Sequence, residues 1–183
     1  MPQAVAHILI PILILSFIRD HILSNNKKAH FPLHYVLIAG IAGTIPDIDI
    51  VLSMILKLVG EQSWWIHKTF THSLFFPLIF FMLFLILKPF HKKAKICTIG
   101  RHNLRLHLIA LMISLGSLIH IFLDSIAGDQ AYFFYPLSTK DFGINIFSIL
   151  PFDHVLIAAT LDGILLIIWL AYLEIKHKIS DFI

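Results

Sequence analysis

Histidines and aspartates recur along this chain in short motifs, and their types point to hydrolysis at a metal centre. His67 and His72 stand five positions apart in His67-Lys68-Thr69-Phe70-Thr71-His72-Ser73, where a short polar run meets a long apolar one. Neutral imidazole is the commonest protein ligand for metals. Asp47 and Asp49 flank a single residue in Pro46-Asp47-Ile48-Asp49. Two carboxylates this close repel unless one is protonated or a cation lies between them. A capping role at a following helix would account for one of them, but not for two in an apolar setting. His120 and Asp124 are four apart, which on a helix stacks them on one face about 6 Å apart. Both can reach one ion or adjacent ions; the alternative is a His–Asp hydrogen bond tying helices together. His7 lies early in the first apolar run, as a further ligand or as an interfacial histidine.

Imidazole and carboxylate without thiolate suit Zn²⁺, or Mn²⁺, in a hydrolytic site. The candidate ligands exceed what one tetrahedral ion takes, so two or three ions sharing carboxylates are expected. Such sites activate water and clamp the oxygens of a phosphoester. In that chemistry Asp47 or Asp49 is the proton acceptor and Lys68 lies near the phosphate. Thr71 and Ser73 cap a helix or bond to a ligating group. Asp162, beside Gly163 in an apolar run, is an intramembrane carboxylate, expected to partner a ligating histidine. His21, His30, His34, His91, His102, His107 and His177 read as interfacial.

The elements that must position these groups are membrane helices. Of 183 residues, 58% are hydrophobic and 14% charged, against about 45–50% and about 25% in soluble domains. Mean hydropathy is +0.86. The length suits a single domain over residues 1–183. The fold class is therefore all-α, a multi-spanning bundle of about five membrane helices. Their apolar cores are Ala4 to Ile18, Leu33 to Leu58, Thr71 to Leu87, Leu106 to Ala127 and His154 to Leu173. The second is interrupted by Gly40, Gly43 and Pro46, and a helix break is expected at Pro46. Met1-Pro2-Gln3 carries no positive charge ahead of the first run, so that run reads as a retained helix rather than a signal peptide. Trp64 and Trp65 read as interface anchors. The lone Cys97 says nothing of redox compartment.

Alternating the spans puts Arg19, Lys27, Lys28, the basic Lys88–Arg105 stretch, Lys176 and Lys178 on one side. By the positive-inside rule that side is cytoplasmic, giving an N-outside, C-inside multi-pass protein of the cell membrane. The basic residues are thereby spent on topology, and no nucleic acid partner is expected. The same threading brings His7, Asp47, Asp49, His67, His72, His120 and Asp124 to the outer side.

The order His7, Pro46-Asp47-Ile48-Asp49, His67-Lys68-Thr69-Phe70-Thr71-His72-Ser73, His120-Ile121-Phe122-Leu123-Asp124, with Tyr135-Pro136-Leu137-Ser138 after it, resembles the YdjM-like membrane-bound metal-dependent hydrolases. That family is grouped with the zinc-dependent phospholipase C and single-strand nuclease superfamily. The resemblance implies an all-helical fold with a phospholipase C-like metal site and phosphoester hydrolysis at a zinc cluster. It implies His7, Asp47, Asp49, His67, His72, His120 and Asp124 as the metal ligands. Ile50 replaces a histidine that often follows the Pro-Asp-x-Asp motif, and Lys68 replaces a common arginine, keeping the charge but not its bidentate fork.

The expectation is a membrane-embedded hydrolase opening at headgroup depth on the extracytoplasmic face, with lipid or lipid-linked phosphoesters as substrates. No protein partner can be read from the chain. A metal-ion or proton transporter using the same cluster is the alternative, with Asp162 as its main support; a scaffold with a structural metal is the third.

Overall fold

The computed structural model describes residues 4–26, 30–60, 69–90, 95–99, 102–127, 131–144 and 146–178. His67, Lys68, Trp64 and Trp65 lie outside these. The first apolar run forms α1, Ala4–Asn25, a 22-residue helix that carries Pro11 within it. It runs past Arg19 because that charge is satisfied locally: its Nε donates to the Phe31 carbonyl at 2.8 Å and its Nη1 pairs with Asp20 at 3.0 Å.

The second run divides as its glycines and proline require, into α2, Leu33–Ala42, and α3, Ile48–Leu58. α2 ends at Gly43, and Pro46 sits in the turn between them. The third run is shorter than expected. Phe70–His72 is a 3-10 turn, and α4 begins only at Phe75, reaching Leu87. Pro77 falls in its first turn, where a missing N–H costs little.

The basic stretch is not wholly loop. Lys95–Ile99 (β1) pairs antiparallel with His102–Arg105 (β2), so a small ribbon interrupts the otherwise helical chain. α5 occupies Leu106–Ala127, as its apolar pattern predicts. α6 occupies His154–His177, opened by Asp153, whose carboxylate accepts from the Val155 and Leu156 N–H groups at 2.7 and 3.3 Å.

Among the described residues, three helices, α1, α5 and α6, are long and apolar enough to cross a membrane. The other two apolar runs fall short of the about 20 residues a span needs: α2 has 10 residues and α4 has 13. Against the five spans expected, these are partial ones, one broken at Gly43–Pro46 and one begun late.

The core lies where α1, α2 and α5 meet. Leu9, Ile12 and Leu15 pack on Tyr35, Val36 and Ala39 and on Met112. Backbones approach closely here. A Cβ on Gly43 would overlap the His7 carbonyl oxygen, and one on Gly116 would overlap the Ala39 carbonyl oxygen. Small residues at helix crossings let membrane helices pack at such range. α4 joins through α5, with Ser114 Oγ donating to the Pro77 carbonyl at 2.8 Å. α6 is peripheral, with only Ala158 and Tyr172 buried.

Candidate metal centre

Each candidate ligand owes its place to a helix end. α2 stops at Gly43, leaving carbonyls of its last turn without helical partners. One of them, Gly43 O, lies 2.6 Å from His120 Nδ1. With Nδ1–H donating there, the Nε2 lone pair of His120 points the other way. α3 starts at Asp47, which stands in the N-cap position without making a side-chain capping bond. Its carboxylate is therefore free for another task. The 3-10 turn delivers His72, whose Nδ1 lies 3.3 Å from Asp49 Oδ2. Thr71 Oγ1 donates to that same oxygen at 2.7 Å. Asp49 thus orients His72, as outer carboxylates commonly orient ligating imidazoles.

Four atoms converge as a result. His72 Nε2 lies 3.2 Å from His120 Nε2, 3.4 Å from Asp47 Oδ1 and 3.4 Å from Asp124 Oδ2. His120 Nε2 lies 3.4 Å from Asp124 Oδ2 and 3.7 Å from Asp47 Oδ1. A tetrahedral ion with ligands at about 2.0–2.1 Å sets neighbouring ligand atoms about 3.3–3.4 Å apart. The spacing is that of such a shell. Among the described residues, Asp47 Oδ1 and Asp124 Oδ2 are buried with no hydrogen-bond partner, an arrangement that costs stability unless something positive sits among them. The residues present fit a divalent cation.

His7 enters from α1. Its Nε2 is 3.2 Å from the other oxygen of Asp124, Oδ1, and its ring lies 4.1 Å from that of His120. His7, His120 and Asp124 form one possible ligand group and Asp47, His72 and His120 another, with His120 common to both. The Nδ1 of His7 is buried without a partner among the described residues.

Asp47 and His72 lie outside the membrane-length helices, and their charges follow from this packing. Burial disfavours a charged Asp47, but the His72 and His120 rings outweigh it and hold the pKa below the ordinary carboxylate value. Burial likewise disfavours a charged His72; Asp47, Asp49 and Asp124 overcome it and push the pKa up to about 9.

Of the residues singled out in the sequence, Asp47, His72, His120 and Asp124 meet at one point, with His7 against Asp124. Asp49 sits one bond out, behind His72. His67 and Lys68 fall outside the described residues. Asp162 bonds to no imidazole among the described residues: its Oδ1 accepts from the backbone N–H of Ala6 at 2.9 Å, in the turn that carries His7. The Gly43 carbonyl was not anticipated. Its only signal was a glycine at the end of an apolar run, read there as an interruption.

The model of the YdjM inner membrane protein family matches residues 1–179. The chain belongs to that family. No curated protein and no solved structure matches it. The match covers all five candidate ligands that the structure describes at the centre, and it makes the chain a multi-pass membrane protein, in agreement with the three helices of membrane-crossing length among the described residues.

Proposed function

We propose that this protein is a membrane-embedded, metal-dependent hydrolase of phosphoester bonds in lipid-type substrates, working at the extracytoplasmic face. The observation that carries the reading is the convergence of His72 Nε2, His120 Nε2, Asp47 Oδ1 and Asp124 Oδ2, two of them buried oxygens without donors. Asp47, His72, His120 and Asp124 would hold the first ion, and His7 with Asp124 a second; zinc matches the donor set and spacing. Bound there, such ions supply an activated water and a clamp for phosphoryl oxygens.

The chain's own residues do the rest. The Gly43 carbonyl and Asp49 fix the two imidazoles in the tautomer that presents Nε2 inward. Asp124 offers one oxygen to the centre and the other to His7. The Asp47 side chain keeps 24% of its surface exposed, which lets it exchange a proton with solvent and suits it as proton acceptor better than Asp49, whose side chain is 3% exposed. Lys68 remains the group proposed to face the phosphate. N-outside, C-inside remains the proposed orientation, since Arg19 and Lys176 cluster on Asp20 at the far end of α1 from His7.

The transport reading leaned chiefly on Asp162, whose Oδ1 accepts from the Ala6 N–H, a bond that gives this carboxylate a part in holding α1 to α6. Purified in detergent, the protein is expected to carry metal and to cleave a chromogenic phosphodiester, and His120→Ala to lose both. Metal that persists in that variant would refute the centre; metal without turnover on any lipid phosphoester would leave a structural role.

A further inference from the structure

A groove of about 610 Å³ begins at Phe70 and Pro136 and follows one face of α4 through Phe75, Ile79, Met82 and Ile86. The spacing of those α4 residues puts them on one stripe of the helix. Its walls are almost wholly apolar, and Phe70 shares a 3-10 turn with His72, so one end of the groove starts two residues from a candidate ligand. From Phe75 to Ile86 the helix rises about 17 Å, close to the about 15 Å of one leaflet in a hydrocarbon core about 30 Å thick.

We infer that this groove holds the hydrocarbon chain of the substrate, and that the substrate is a long-chain amphiphile whose phosphoester sits at the centre while its tail lies along α4. The inference rests on the hydrolase reading for the identity of the headgroup, but the groove makes its own demand. An extended peptide would find no polar wall to satisfy its amides. An alkyl chain has none to satisfy, and an amphiphile suits a track whose length is apolar and which starts beside the polar 3-10 turn of His72.

The test uses the detergent-purified full chain and alkyl phosphates of stepwise increasing chain length, kept below their micellar concentration, with binding read by calorimetry. The matching p-nitrophenyl alkyl phosphodiesters report turnover separately. Affinity is expected to rise up to about fourfold per methylene and to level off at a length that fills the groove. Ile86→Trp should shorten that limiting length, and Met82→Trp, one turn nearer the centre, should shorten it further. Both side chains are exposed, at 64% and 49%, so neither change loads the core. Affinity that ignores chain length, or a limit that neither tryptophan moves, overturns the groove even if the esters are cleaved. A limit that moves as described with no cleavage upholds the groove and removes the hydrolase.

Discussion

Asp20 and Asp124 are both carboxylates on apolar helices, and they stand at opposite ends of the bundle in opposite circumstances. Asp20 is surrounded by donors: Arg19 at 3.0 Å, the Tyr172 hydroxyl at 3.0 Å and Lys176 at 3.7 Å. Asp124 meets only imidazoles, at 3.2 Å from His7 and 3.4 Å from His72 and His120, and one of its oxygens has no hydrogen bond. The first acid is complete within the chain. The second, with Asp47 beside it, faces imidazoles, of which His72 carries a proton that a metal cation can replace, and that difference separates a structural ion cluster from a candidate reaction centre.

Removing a ligand at the outer end should have the largest effect. His120→Ala or Asp124→Asn should weaken metal binding by more than the about 10–100-fold typical of outer partners, seen as loss of bound metal by elemental analysis. If either variant retains its metal, the two ends are alike after all. Asp49→Asn comes next, since it keeps the shape but weakens the bond that orients His72. About 10–100-fold weaker metal affinity with the fold intact is expected, measured by competition with a chelator.

Acidity gives a smaller, graded effect. In the metal-free protein His72 keeps its proton to about pH 9, above its ordinary 6.5. The stability this pairing adds is full below the unfolded value and is lost as pH rises through about 9. A ligating imidazole must be neutral, so binding releases that proton, and apparent affinity should rise up to about tenfold per pH unit from pH 6.5 towards 9. Titrations in buffers of different ionisation enthalpy would show the released proton; a flat profile would place the charge elsewhere. Asp20→Asn should do least. A partly exposed ion pair is worth about 1 kcal/mol or less, so thermal unfolding should move little and metal content not at all. A loss of metal here would break the contrast between the two ends.

The sequence told most where the physics was local. The apolar run of α5 marked both its ends, and Pro46 marked the break before α3, because burial in lipid and a missing amide act on the residues that carry them. The pairing of His120 with Asp124 followed from helical spacing alone. What stayed hidden depended on distant partners. Asp49 could not be told from Asp47 as a ligand, since the difference lies in which nitrogen of His72 each one meets, Nδ1 for Asp49 and Nε2 for Asp47. Gly43 read as an interruption of an apolar run, whereas it and Gly116 each let a carbonyl of another helix come close. The shortening of α4 reflects the 3-10 turn that aims His72, an instance of site geometry overriding a continuous apolar pattern. The ribbon of β1 and β2 lay in a stretch whose charge suggested only topology.

The bond from Asp162 to the Ala6 amide has a consequence for assembly. α1 leaves the ribosome before α6, yet an amide in its opening turn finds its side-chain acceptor on the later helix. The residue next to His7 is thus secured only after the helices that carry His72, His120 and Asp124 have been made, so the support beneath the ligand cage is added after the cage's own members.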